Sequence, residues 1–477
     1  MKVWAYTAAA FAVMTMAGGV LAAERTITTD VVVVGAGAGG LTAGVAATDA
    51  GLKTIVLEKN AVVGGGGNYM EGTFFVGSAL QKADNIGVNP ERQFKRVMDF
   101  HHWRINARAL NSWLKQTAGV YDWLAGHGVH YEAVKTAFID GNRTWHMYKG
   151  GHGTVLVQEF STRIKAKGGE IMTSTPAQSL IIEDGVVKGV KAVAKNGDTL
   201  TIRAGNTIIA TGGFSGNKYL RELHDPRVKN LGTDNLPNQT AGDVMMAAVR
   251  VGAYLVGMDF IQSTPGAPAG KKMKIILNTK VAESIYVDKR GNRIVNEGAR
   301  RDVIRDAVLG TPERYAYTVC DNENFMSYNS AVHSSVEEGI RINEAWTAPT
   351  IRELAQKMGV DPEGLEKTID RYNNVLVKNQ KDPDFGKAPR NLTKRIEKGP
   401  FWACYTGMTV HHTMGGINCN TKAQVLDWQG NVVPRLYAAG EITGGIHGTN
   451  RVGGNALLDC MVYGQIAGIN AGKERRA

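Results

Sequence analysis

Three glycines in the pattern Gly35-x-Gly37-x-x-Gly40 are followed, 18 residues after the last of them, by Glu58, and this arrangement suits one particular chemistry. That chemistry is the capture of a dinucleotide. Gly35 permits a tight turn, Gly37 lets the backbone approach a pyrophosphate, and Gly40 lets a helix meet a strand, while amides at the helix N-terminus face the phosphates. Glu58 would accept hydrogen bonds from the adenosine ribose. A lone triplet of this kind is weak; its surroundings make it specific. Asp30-Val31-Val32-Val33-Val34 is a β-branched apolar run that reads as a strand, Leu41 to Ala50 reads as a helix, and Thr54-Ile55-Val56-Leu57 reads as a second strand ending on Glu58.

The next segment, Val63-Gly64-Gly65-Gly66-Gly67-Asn68, offers a backbone free enough to pass along the phosphates and ring of a flavin, which points to FAD rather than NAD. No second GxGxxG is present, so electrons are expected to arrive by a route other than a bound nicotinamide. Two later segments, Asn206-Thr207-Ile208-Ile209-Ala210-Thr211-Gly212-Gly213 and Leu436-Tyr437-Ala438-Ala439-Gly440-Glu441, each run from an apolar strand into a glycine turn. Both are expected to return to the nucleotide sheet. The fold class is therefore α/β, with a Rossmann-like FAD-binding domain assembled from the two ends of the chain.

A chain of 477 residues exceeds one ordinary core and suggests two or three domains. Hydrophobic residues at 43% and charged ones at 21% fit a soluble globular protein. Met1-Lys2, an apolar run from Val3 to Leu21 and the closing Ala22-Ala23 read as a secretory signal peptide, which implies a periplasmic address. The leader contains no twin-arginine pair, so export unfolded with later FAD uptake is expected, and no membrane span is expected after signal cleavage. The charge of +11 is scattered, without the basic block of a nucleic-acid binder, and suits anionic substrates or an acidic electron-transfer partner. Four cysteines (Cys320, Cys404, Cys419, Cys460) show no CxxC and no CxxCH, and no His/Cys/acid group has metal-ligand spacing, so neither attached haem nor metal is expected.

Further strings carry a resemblance: Val295-Asn296-Glu297 with Arg301-Asp302, His411-His412-Thr413-Met414-Gly415-Gly416, and Ala439-Gly440-Glu441 through Gly448-Thr449-Asn450-Arg451-Val452-Gly453-Gly454-Asn455-Ala456. With the Gly35 motif they make residues 28–472 resemble the FAD-dependent fumarate reductase and succinate dehydrogenase flavoproteins, especially soluble periplasmic flavocytochrome c-like reductases without the haem domain. The resemblance implies a glutathione-reductase-type FAD domain interrupted by an α+β capping domain. The expected divisions are a signal peptide over 1–23, FAD-binding parts over 24–258 and 405–477, and the cap over 259–404. Within the cap, Thr350-Ile351-Arg352-Glu353 reads as a capping box, Asp361-Pro362 as a second helix start, and Lys378 to Arg390 as a surface loop.

The same resemblance implies one non-covalent FAD per chain. Its expected contacts are Gly35, Gly37, Ala38, Gly39, Gly40, Glu58, Lys59, Gly66, Gly67, Asn68, Gly72, Ala177, Ala210, Thr211, Gly212, Asp243, His411, Gly440, Glu441, Asn455, Ala456 and Leu457. It further implies that reduced flavin passes hydride to the β-carbon of an activated alkene while Arg301 gives the proton to the α-carbon. His412 and Arg451 would hold a substrate carboxylate, with Thr264 and Gly454 completing the substrate contacts, and His411 and His447 would pack toward the flavin. A planar guanidinium suits the clamping of a carboxylate.

The departures from the family pattern concern the far end of the substrate. Gln262-Ser263-Thr264-Pro265 puts Thr264 where the family has histidine, and an ungapped register puts Ile276-Leu277 and Lys280 where it has Thr-Glu and arginine. Half of a dicarboxylate site is thus missing and that end is expected to be less polar, which disfavours fumarate because an unpaired buried carboxylate is costly. The expected activity is reduction of an α,β-unsaturated monocarboxylate such as an acrylate-, cinnamate- or urocanate-like acid, fed by an external c-type cytochrome or quinol-linked donor. Fumarate reductase proper, an oxidising dehydrogenase of the ketosteroid type, and a non-catalytic electron carrier are the competing readings.

Overall fold

The computed structural model describes residues 23–136, 142–235, 239–273, 276–277 and 281–476, so the expected leader (1–22) and Lys280 lie outside the described residues. Strand Glu24–Val34 forms the middle of the nucleotide sheet, and its valines Val31 to Val34 are at most 3% exposed, as a strand covered on both faces requires. It pairs in parallel with Thr54–Leu57 on one side and with Thr199–Ile209 on the other. Glu170–Met172 extends the first side and Val432–Ala438 the second, again in parallel. The strand contributed by the C-terminal part therefore lies beside one from the N-terminal half, as the two matching strand-to-glycine segments implied.

Helix Ala38–Asp49 follows the first glycine turn and is buried along its length to Thr48, between the sheet and the C-terminal helix Asn455–Arg476. A helix covered on every side has no amphipathic stripe to read. Gly40 is needed here because a Cβ would come within 1.8 Å of the Gly35 carbonyl oxygen. The tight strand-to-helix turn is thus closed by the absence of a side chain.

The intervening stretch builds an antiparallel sheet from Ile261–Gly266, Ser284–Val287, Ala316–Cys320, Ala345–Ala348 and Phe401–Thr413. Helices Ile351–Met358 and Pro362–Arg371 pack alongside, started by Thr350 accepting from the Glu353 amide and Asp361 accepting from the Glu363 amide. Strand Phe401–Thr413 is continuous across the division expected after residue 404, and runs from this sheet into the nucleotide-binding half.

One expectation is corrected. Lys378 to Arg390 is not simply a surface loop, since it turns Asp382 and Lys387 inward, at 7% and 1% exposure. Lys387 Nζ lies 3.0 Å from Glu297 Oε2, and Arg293 bridges Glu297 and Asp382 at 2.8 Å each. Mutual pairing offsets the desolvation that would otherwise hold these charges at the surface. All four cysteines are free thiols, Cys320 and Cys404 within the core of this inserted sheet.

Candidate active site

One cavity of about 670 Å³ collects most of the residues singled out in the sequence. Its nucleotide end is built by the turn after strand Glu24–Val34. Gly35, at φ +101°, turns the chain, and Gly37 precedes a helix whose first amides receive no side-chain cap. Uncapped amides at a glycine-lined helix N-terminus fit a pyrophosphate. Glu58 accepts from the Ala36 amide at 3.1 Å through one oxygen and from the Asn60 amide at 2.9 Å through the other, fixing the carboxylate with lone pairs left for a ribose. Lys59 and Asp243 face each other at 3.9 Å at this end. The residues present fit FAD.

At the other end the register of one strand pair decides what faces the cavity. Gln262 stands opposite His412 and Ser263 opposite Val410, so His411 is an extra, bulged residue. Strict alternation would send His411 and His412 to opposite faces; with the bulge both line the cavity. His411 Nδ1 lies 2.7 Å from Asp234 Oδ2, and the acceptor carboxylate assigns the ring proton to Nδ1. Burial brings the His411 pKa down to about 4 against the pull of that bond. His412 is 5% exposed with both ring nitrogens unbonded among the described residues; burial, then the Arg451 charge, hold its pKa well below the usual histidine range. Each imidazole is neutral near pH 7.

Arg301 begins helix Arg301–Leu309 and donates from Nη1 to Gln262 Oε1 at 2.8 Å. It makes no described bond to Asp302 or Glu297. Gln262, 2% exposed, is held in turn by donating from Nε2 to Asn450 Oδ1 at 2.7 Å and to the Arg451 carbonyl at 2.9 Å. Asn450 donates to Asp302, which also meets His102 at 2.8 Å. Burial, and then the neighbouring Arg451 charge, push the Arg301 pKa down to about 9, with Asp234 opposing. Arg451 is 7% exposed, and its Nε has no described partner. Glu441 accepts from the amide and hydroxyl of Thr413, yet burial raises its pKa to about 7.

Of the residues singled out beforehand, Arg301, His411, His412, Arg451 and Gly454 all line the cavity, as do the cofactor candidates except Gly40, Asn68 and Asn455. Gly40 packs against Gly35, Asn68 holds its own loop by donating to the Val63 carbonyl at 2.9 Å, and Asn455 is buried beside Ala456. Thr264 is not in the lining; it reaches Asp234 Oδ2 at 3.3 Å. His447 is also outside it, bonded to Asp459 and edge-on to His412. Ile276 and Leu277 are buried in the core of the inserted sheet with Cys320 and Cys404, so they do not make the far end of the cavity apolar.

Sequence reasoning passed over Asp234 and assigned Gln262 no role. Gln262 stands two residues from Thr264, in a segment whose departure from the family pattern was visible. Asp234 had no comparable signal, because it reaches the cavity from a loop remote in sequence from its partners.

The family model for the FAD binding domain matches residues 30–457. The chain is 30% identical over 452 residues to the NADH:fumarate oxidoreductase of Klebsiella pneumoniae, a match covering 94% of this chain and 48% of that protein. It is 32% identical over 451 residues to a fumarate reductase (cytochrome) of Shewanella frigidimarina, covering 94% of this chain and 77% of that protein. The chain thus spans about half the length of the first relative and about three quarters of the second. Among solved structures, the open conformation of a flavocytochrome c3 fumarate reductase matches with a TM-score of 0.78 at 30% identity, over 94% of this chain and 78% of that one.

Proposed function

This chain belongs to the FAD-binding family of flavoprotein oxidoreductases that includes the fumarate reductases, and we propose that it reduces the C=C bond of an α,β-unsaturated monocarboxylate. The observation that carries the proposal is the set of unsatisfied groups in the cavity. Among the described residues, Arg451 Nε and both His412 ring nitrogens have no partner while buried beside Arg301. Buried polar groups usually have a hydrogen-bond partner, and groups left open along a cavity wall are placed to meet a ligand.

Arg451 and His412 bind the substrate carboxylate, and the guanidinium draws charge toward it, making the β-carbon electrophilic. Bound FAD, when reduced, supplies the hydride. Arg301, oriented by Gln262, delivers the proton to the α-carbon. An ordinary guanidinium is a poor acid, but burial and the Arg451 charge make this one a better donor to a carbon of near-enolate character. The histidine that the family places opposite a second carboxylate has no counterpart here, and Thr264 in its position meets the carboxyl group of Asp234. A dicarboxylate would therefore face like charge there, and fumarate is a poor substrate.

The FAD is non-covalent, one per chain. Electrons come from an external c-type cytochrome or quinol-linked donor, a reading supported by the lack of CxxCH and of a second GxGxxG in the chain. Residues 1–23 direct the protein to the periplasm; among the described residues no helix is long and apolar enough to cross a membrane. The test is anaerobic oxidation of reduced viologen by the FAD-loaded protein, offered acrylate, methacrylate, cinnamate, urocanate and fumarate. Turnover of a monocarboxylate well above fumarate supports the proposal. Fast fumarate reduction removes the monocarboxylate preference, and silence on every acid removes the reductase reading.

A further inference from the structure

We propose that Asp234, steadied by His411 and Thr264, accepts a hydrogen bond from an N–H or O–H group at the end of the substrate remote from its carboxylate. The preferred acids are then those carrying a donor head conjugated to the alkene. This rests on the reductase reading above and goes on to name the substrate class.

Asp234 lines the same cavity as Arg301, His412 and Arg451, and its side chain is 39% exposed there. Both of its described side-chain bonds, from His411 Nδ1 at 2.7 Å and Thr264 Oγ1 at 3.3 Å, fall on Oδ2. Oδ1 has no described side-chain partner. The position is fixed by more than these bonds. The Asp234 amide donates to the Val410 carbonyl at 3.2 Å, tying the loop to the bulged strand that presents His411. An ionised carboxyl group only accepts hydrogen bonds. Oδ1 is therefore open to accept from a donor in the cavity, since the described bonds from Thr264 and His411 are both spent on Oδ2.

Three kinds of substrate head meet this oxygen differently. A second carboxylate is repelled. An alkyl or bare phenyl group covers the oxygen without bonding it, which removes water and returns nothing. An imidazole N–H or a phenol O–H completes it with a charge-assisted bond. Sites built to bond a polar group discriminate strongly against analogues that lack it, because the protein group is then left unpaired.

The test compares acids matched in shape. Viologen-linked reduction of 4-hydroxycinnamate, urocanate and cinnamate is measured for the FAD-loaded wild type, Asp234→Ala and Asp234→Asn. In parallel, 3-(4-hydroxyphenyl)propionate, imidazolepropionate and 3-phenylpropionate are titrated against the flavin visible spectrum. The wild type is expected to favour a donor-headed acid over cinnamate by about 10- to 100-fold in kcat/KM, the range for a bond to a charged group. Asp234→Ala collapses that ratio to within about threefold, mainly through KM, and Asp234→Asn, which keeps an acceptor oxygen, recovers part of it. The better of the phenol and imidazole heads identifies the donor. Equal turnover of the matched acids by the wild type, or an equal loss on all of them in Asp234→Ala, overturns the proposal. If nothing is reduced but the titrations still separate the analogues in an Asp234-dependent way, the reductase reading fails and the acceptor site stands. If they do not separate, the acceptor site fails.

Discussion

Two buried clusters of charge lie close together in this chain and are finished in opposite ways. In the inserted sheet region, Arg293, Glu297, Asp382 and Lys387 form a closed set of two cations and two anions. Arg293 meets Glu297 and Asp382 at 2.8 Å, and Lys387 meets Glu297 at 3.0 Å and donates to the Ser284 carbonyl at 3.1 Å. A few residues further along, Arg301 enters the cavity with a single described side-chain bond, to Gln262, beside Arg451 and His412 with their unbonded nitrogens. The first cluster shows that this fold can satisfy buried charge completely. The second leaves its groups open toward the cavity, which fits the proposed binding of a substrate carboxylate there.

The sharpest way to break that contrast is to remove one member of each cluster and compare what is lost. Arg301→Ala is expected to reduce turnover by about 10³- to 10⁴-fold, at the upper end for loss of a general acid. Flavin absorbance of the purified variant should remain, and retained turnover would end Arg301's assignment. Glu297→Gln should do the reverse. Leaving Arg293 and Lys387 with too little negative charge costs about 3–5 kcal/mol of stability, read as a lower denaturant midpoint. The ratio of kcat/KM between any two acids should hold; a large change in it would mean the clusters are not separate.

Arg451→Met sharpens the comparison from the cavity side. KM for the acid should rise about 100-fold, as expected when a charged clamp is lost. The ligand-free protein should nevertheless be as stable as wild type or more so, because an incompletely paired buried cation is replaced by an apolar chain. A marked fall in its melting temperature would show that Arg451 holds the fold rather than the substrate. The pH dependence comes next in size. Burial lowers the Arg301 pKa from the ordinary arginine range to about 9, so the cationic donor form is full below that value and lost above it. The rate should hold toward neutral pH and fall about tenfold per unit in strong alkali beyond about pH 9. A rate that stays flat to pH 11 would contradict this. The smallest effect belongs to Thr264→Val, which removes one of two bonds steadying Asp234. The donor-head preference should fall by roughly 3- to 10-fold, the worth of a single long hydrogen bond that acts only by steadying Asp234.

The nucleotide half was legible residue by residue. The glycine turn, its flanking strands and Glu58 are local requirements of backbone conformation, and each was found in place. The inserted region was legible only at its helix starts, where Thr350 and Asp361 cap through neighbours in sequence. Lys387 looked like surface because composition reports charge and not pairing; its partners lie far away in the chain. Ile276 and Leu277 were placed at the cavity by register and are instead in the core of the inserted sheet, because an ungapped register carries no information on which way a loop folds.

By itself the amino-acid sequence determined the α/β class, the FAD site and the assembly of the nucleotide sheet from both chain ends, while its resemblance to a family singled out the arginines and histidines available for chemistry. The former follow from short-range rules of turn, strand and cap that hold wherever the segment ends up. Only the tertiary structure decided which of those groups converge. The one-residue bulge that brings His411 and His412 onto the same cavity is set by pairing with a strand about 150 residues earlier in the chain. Gln262's grip on Arg301, and Asp234's arrival beside Thr264, depend likewise on loops meeting through space. The physical reason is that hydrogen bonding and burial act over a few ångströms whatever the separation along the chain, so the finished site is a property of packing rather than of any one segment.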